Sequence, residues 1–411
     1  MNTKTKLWTK DFLMISLSNF LLFISFYTLM VTLAGYSIDK FHASQSEAGL
    51  ASGIFVLGAV LVRPIAGKMI DQIGKKRLLM IGIGSFLIMM LLYFPINSLS
   101  LLFLVRFIHG FSFGIATTAT GTIAADIIPL SRRGEGMGYF ATSMNLAMAV
   151  GPFFGLIITQ YADHNVIFVV TTLFSIIAFV STIFIKIQKE DMGIKRSAPV
   201  RSGFHLSDYF ERTTMPIAIL MCIFGFAYSS ILSFMSSFAE EINLVDAASF
   251  FFVMYAAFLL ISRPFTGKLV DLKGENKVIY PSILLFAIGL IILSQVQHGM
   301  VLLIAGAVIG VGFGTLQSSA QTVAVNLAPR NRVGLATSTF FVFYDLGIGV
   351  GPFVLGFFLP FTGFRGMYVG MAAIAFVGIL IYYLVHGRKA TALAKQKTEE
   401  SARDFQTKQV L

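Results

Sequence analysis

Residues 63–74 read Arg63-Pro64-Ile65-Ala66-Gly67-Lys68-Met69-Ile70-Asp71-Gln72-Ile73-Gly74, and residues 263–274 read Arg263-Pro264-Phe265-Thr266-Gly267-Lys268-Leu269-Val270-Asp271-Leu272-Lys273-Gly274. The second stretch copies the first 200 positions on, and the register holds well beyond it. Gly110 and Gly114 return as Gly310 and Gly314; Pro129, Arg132 and Gly134 return as Pro329, Arg332 and Gly334; Gly151-Pro152 returns as Gly351-Pro352. A duplication of this length in an apolar chain predicts two related halves with a site between them.

Hydrophobic residues make up 56% of the chain, charged residues 12%, and the mean hydropathy is +0.80. A soluble domain carries about twice that share of charge, so the chain reads as polytopic and all-helical. Twelve apolar stretches of about 20 residues, six per copy, are long enough to cross a bilayer; the last two fall at 335–359 and 365–386. The predicted fold is an all-α membrane protein of twelve transmembrane helices in two pseudo-symmetric six-helix bundles. The bundles are 1–187 and 214–386, with a polar linker at 188–213 and a polar tail at 387–411. The first apolar run is too long for a signal-peptide core and reads as a retained helix.

The net charge is +11. On this layout every Lys and Arg except Lys40, Arg365 and Arg106 falls on the side of the N-terminus, and the opposite loops are acidic. That is the positive-inside pattern. It puts both termini in the cytoplasm and turns a basic balance that could suggest nucleic acid into a statement of topology. The lone Cys222 offers neither disulfide nor metal site. No Gly-x4-Gly-Lys-Ser/Thr loop is present to bind a nucleotide, and no cluster has metal-ligand spacing.

The Gly67-Asp71-Gly74-Lys75 loop and its copy Gly267-Asp271-Gly274 resemble the signature loop of the major facilitator superfamily, with Gln72 and Leu272 where the family usually has Arg. Arg106-Phe-Ile-His-Gly110 is similar to the family's fourth-helix motif. Ala147-x3-Gly151-Pro152-x2-Gly155 and Gly347-x3-Gly351-Pro352 resemble its antiporter motif, with Ala147 in place of the first glycine. The resemblance covers residues 12–386. It implies a secondary transporter like the bacterial drug and metabolite:proton antiporters, whose signature loops help to close the cytoplasmic side.

Where the copies disagree in charge, a role beyond the shared scaffold is expected. Arg106 corresponds to Gly306, Asp126 to Asn326, and Asn145 to Asp345. Asp345 lies about 15 Å into its stretch, near mid-membrane, where a carboxylate holds or releases a proton according to its hydration. The competing reading is an Asp345 held between helices by Tyr344, Asn145 or Arg106. Asp126 fits an inner-gate salt bridge with Arg132, Arg133 and Asp71 better than a proton carrier. Arg106, a charge inside an apolar stretch, reads as functional. Asn19, Tyr27, Tyr228, Gln317 and Gln321 are the polar candidates for a central cavity.

The expected activity is proton-coupled export of small amphipathic molecules, drugs or metabolites, by alternating access. The alternatives are a dedicated exporter of a sugar, amino-acid derivative or metallophore, or an importer or uniporter on the same fold. No enzymatic chemistry, cofactor or metal is expected: an ion gradient, protons foremost, supplies the energy. The expected partners are the lipid bilayer and a small-molecule substrate, with a bacterial plasma-membrane location and a monomeric working unit.

Overall fold

A computed structural model describes residues 6–129, 133–185, 210–329, 332–388 and 390. They form α1 (Lys10–Phe41), α2 (Gln45–Ile73), α3 (Lys75–Leu91), α4 (Leu99–Ile127), α5 (Arg133–Tyr161), α6 (His164–Ile183), α7 (Met215–Glu241), α8 (Val245–Lys273), α9 (Asn276–Ser294), α10 (Gly299–Ile309), α11 (Thr315–Asn326) and α12 (Val333–Tyr382). No strand occurs among the described residues. Helices satisfy their own backbone groups, which is what a hydrocarbon surround demands. Nine helices among the described residues are long and apolar enough to cross a membrane, and large apolar side chains such as Leu61, Ile88, Leu104 and Phe265 are exposed on their outer faces. The linker 188–213 and the tail 387–411 lie, apart from residues 210–213, 387–388 and 390, outside the described residues.

The sequence writes the helix ends. Thr9 accepts a hydrogen bond from the Phe12 amide at 3.2 Å and starts α1. Ser44 and Glu47 form a reciprocal capping box on α2. The turns after α2 and α8 pass through Gly74 at φ 86° and Gly274 at φ 80°, a conformation that costs glycine little and any other residue more. The repeat therefore preserves the turn as well as the letters.

Two features depart from the sequence layout. The stretches 335–359 and 365–386 belong to one hydrogen-bonded run, α12, folded at Gly363 (φ 62°, ψ 175°). Its apolar extent, Leu335–Gly387, is 53 residues, or about 80 Å, far more than one crossing requires. The second is a π-helical turn at Gly310–Gly314, which joins α10 to α11 in one rod, Gly299–Asn326. The matching Gly110–Gly114 in α4 is ordinary α-helix.

Packing follows the copies. Within the first half α2 lies against α4, α1 against α5 and α6, and α3 against α4 and α6; in the second, α12 lies against α7 and α9, and α8 against α10. Among the described residues the most extensive joints between the halves are α2 with α12, α5 with α8, and α1 with α7. At the end of the molecule that carries the α1–α2 and α7–α8 turns, these joints are closed. A Cβ on Gly49 or Gly53 of α2 would strike the backbone of α12 at Pro352 or Gly349. Gln160 of α5 hydrogen-bonds Asp246 of α8, and Phe153 packs on Phe250 with ring centroids 5.7 Å apart.

Candidate functional site

Below that closed end lies a pocket of about 430 Å³, counting the part open to solvent. Its walls come from α1 (Phe23, Phe26, Tyr27), α2 (Phe55 to Arg63), α4 (Phe113), α5 (Met144) and α12 (Phe341 to Ile348). The aromatic side packs as a unit: Phe26 lies 5.2 Å from Phe55 and 5.3 Å from Phe113, and Phe23 lies 5.0 Å from Phe113. Opposite the rings stands a single ion pair. The Arg63 guanidinium of α2 donates to the Asp345 carboxylate of α12. The two side chains are 15% and 17% exposed, so the pair is screened from bulk water yet open to the pocket.

Asp345, expected as an intramembrane charge, and Tyr27, expected in a cavity, both line this pocket. Among the described side chains the partner of Asp345 is Arg63, not Tyr344 or Arg106; the Asn145 side chain lies outside the described ones. Arg63 matches across the repeat and on that ground reads as scaffold, and the charge layout places it with the inner loops. It lies instead within the apolar part of α2, Gln45–Gly67. The available signal was the one applied to Arg106: a charge inside an apolar helix. Phe55, Phe113, Met144 and Phe341 were also missed, because aromatic and methionine side chains on membrane helices carry no distinguishing mark.

Arg106 works from behind the pocket wall. It is fully buried. Its Nε donates to the Ala51 carbonyl at 3.1 Å, one terminal nitrogen to the Ser52 carbonyl at 3.0 Å, and the other reaches the Tyr93 hydroxyl at 3.5 Å. The guanidinium lies 4.4 Å from the centre of the Phe55 ring. Three of these contacts hold the start of α2, and a pocket ring with it, in one place; the fourth reaches Tyr93 between α3 and α4. The second half meets the corresponding carbonyl differently: a Cβ on Gly306 would lie 2.7 Å from the Phe251 oxygen, so bare backbone packs where Arg106 bonds.

The other candidates sort by their partners. Asn19 takes no part in the pocket lining; it donates to Ser143 Oγ at 3.0 Å and accepts from Thr120 Oγ1 at 3.0 Å, tying α1 to α4 and α5. Tyr228 stacks on Phe313 at 4.0 Å, one layer behind the pocket. Gln317 and Gln321 lie on α11 outside the lining. Asp126 is an exposed side chain, paired with Lys75 at 2.7 Å, and the residues expected beside it, Arg132 and Arg133, lie outside the described side chains, as do Asp71 and Asp271 and the surroundings of Gly267. Gly67 has open space around it rather than a close helix neighbour. The motif glycines on α5 and α12 do seat neighbours: Gly151 and Gly155 meet Tyr27 and Thr32 of α1, and Gly347 and Gly351 meet Cys222 and Ser229 of α7. Pro152 and Pro352 lie inside α5 and α12 beside them.

A duplicated helical membrane chain with a charge-bearing pocket at the joint between its halves has the build of a transporter. The sequence profile of the Major Facilitator Superfamily matches residues 15–275 and 217–410, and the chain belongs to that family. It is 25% identical to an MFS-type transporter of Methanocaldococcus jannaschii, over 83% of this chain and 89% of that one. It is 24% identical to multidrug resistance protein 2 of Bacillus subtilis, over 86% and 90%. Among solved structures it superposes on a bacterial homolog of the human lysosomal transporter Spinster with a TM-score of 0.75, at 14% identity, over 91% of this chain and 96% of that one. The all-helical fold is that of the family.

Proposed function

We propose that the protein is a proton-coupled exporter of small amphipathic molecules, working by alternating access from a bacterial plasma membrane as a monomer. The observation that carries this reading is the Arg63–Asp345 pair, which spans the α2–α12 joint inside the pocket. A proton on Asp345 removes one of the two charges. The attraction across the joint then falls, and α2 is freer to part from α12. With Asp345 ionised the joint re-forms. One carboxylate thereby links protonation to the closing of one end of the molecule, with no nucleotide or cofactor in the cycle.

The orientation comes from the charge pattern: with both termini cytoplasmic, twelve crossings place the closed end outside. The bundles 1–187 and 214–386 would rock about the pocket, joined by 188–213 and followed by the tail 387–411. The aromatic walls suit molecules with an apolar body, and the name of the Bacillus relative, a multidrug resistance protein, supports export. Asp126, paired with Lys75, is the second candidate for proton transfer.

The test is uphill efflux in everted vesicles under an imposed pH gradient, with probes of both charge signs. Asp345→Asn is expected to abolish gradient-driven accumulation while leaving equilibrium exchange of probe; Asp126→Asn is expected to slow both modestly. Gradient-driven flux unchanged in Asp345→Asn would remove the coupling assignment. If no probe moves and overexpressing cells gain resistance to none, a dedicated metabolite becomes the better reading.

A further inference from the structure

The repeat supplies Arg63 with a copy, Arg263, on α8, but not with a copy of its anion. The position that corresponds to Asp345 is Asn145, on α5, the helix that packs against α8. The Nε of Arg263 is buried and has no hydrogen-bond partner, and no carboxylate pairs with the guanidinium among the described residues. Tyr255 lies within electrostatic reach of it. Tyr255 and Tyr228 face each other at 5.8 Å between ring centres. Their hydroxyls lie close enough to influence each other but make no hydrogen bond in ordinary geometry, and neither has another partner among the described residues. Tyr344, whose hydroxyl is likewise unpartnered, and Tyr27 line the pocket and lie within reach of Tyr255. Among the described residues, then, the Nε of a partly buried cation and three buried tyrosine hydroxyls stand without a hydrogen-bond partner.

An uncompensated guanidinium in such a place is costly. Donors left open together are suited to an acceptor that comes from outside the chain. A carboxylate or sulfonate matches best, because a guanidinium grips two oxygens at once. We propose that Arg263, with Tyr255 and Tyr228, anchors the anionic group of the carried molecule, whose aromatic or apolar body occupies the adjoining ring-lined pocket. The substrate class is an organic monoanion with an apolar body, not a lipophilic cation. This rests on the reading of the pocket as the carried molecule's site.

The matched pair 2-naphthalenesulfonate and trimethyl(2-naphthyl)ammonium tests it, since the two share a body and differ in the sign of a permanent charge. Binding to the purified full-length protein is measured by titration calorimetry. Wild type is expected to bind the sulfonate at least about tenfold more tightly than the ammonium. Arg263→Gln should lose that preference, Arg263→Lys should keep part of it, and Asn145→Asp, which supplies the missing carboxylate, should weaken the sulfonate and spare the ammonium. Equal or tighter binding of the ammonium by wild type overturns the proposal. So does an unchanged sulfonate affinity in Arg263→Gln or, should that variant not fold, in Asn145→Asp. Binding of neither probe overturns it as well. Flux of both probes in proteoliposomes is measured separately. Arg263-dependent sulfonate binding without any flux removes the transport reading and leaves the anion site standing; flux without Arg263 dependence does the reverse.

Discussion

The joint of α2 with α12 and the joint of α5 with α8 descend from one pattern and are built differently. On the first, Gly49, Gly53, Gly349 and Gly356 let backbone touch backbone, and one buried ion pair crosses the joint. At the corresponding positions the second has Ser249, Val253, Ala149 and Leu156, with Arg263 and Asn145 in place of the pair. It is held at its end by Gln160 with Asp246 and by Phe153 with Phe250. Glycines bring α2 and α12 backbone to backbone, and the ion pair adds an attraction across the joint. Among the described residues the second joint has neither device, and the Arg263 Nε is without a partner. Duplication gave the molecule two related joints, and divergence left an ion pair across one and an arginine matched with an asparagine at the other.

The comparison can be broken first at the glycines. Gly53→Leu pushes a side chain into the backbone of α12 and should cost more than about 3 kcal/mol; the expected outcome is loss of monodisperse protein in detergent. Val253→Leu, at the matched and exposed position of α8, should shift the thermal midpoint little. Equal damage by both would show that the joints are equally tight. A smaller effect sharpens the charge difference. Arg63→Gln strands Asp345 and should destabilise by about 3 kcal/mol, read as thermal unfolding in detergent, and Arg63→Gln with Asp345→Asn should recover most of the loss. Arg263→Gln, with no partner to strand, should leave stability equal or raised. The smallest effect is behind the pocket wall. Tyr93→Phe removes the hydroxyl shared by Arg106 and His109 and should cost about 1 kcal/mol; a neutral result would mean that the Ala51 and Ser52 carbonyls alone hold Arg106.

Much of the fold was legible because it is periodic. Apolar length reports a membrane helix, and Gly74 and Gly274 report the same turn twice. The site was legible only in part. Asp345 stood out because a carboxylate is rare in an apolar stretch and its copy is neutral. Arg63 escaped for the opposite reason: its copy is also arginine, and identity across the repeat conceals a difference in partner. Arg106 stood out as a charge in an apolar stretch, and its contacts hold the start of α2 and the Tyr93 hydroxyl from behind the pocket wall.

By itself the sequence determined that this chain lives in a membrane, that it is a duplication, and where its helices turn, since these follow from transfer energies and backbone preferences local to each stretch. The tertiary structure decided which charges meet. Arg63 and Asp345 are 282 positions apart, and only the seating of α2 on the glycines of α12 brings them into contact. Arg263, its copy on α8, has no carboxylate partner among the described residues, and the position matching Asp345 is asparagine. Short-range forces select partners after the helices have docked, so the pairing could not be read before the fold was known.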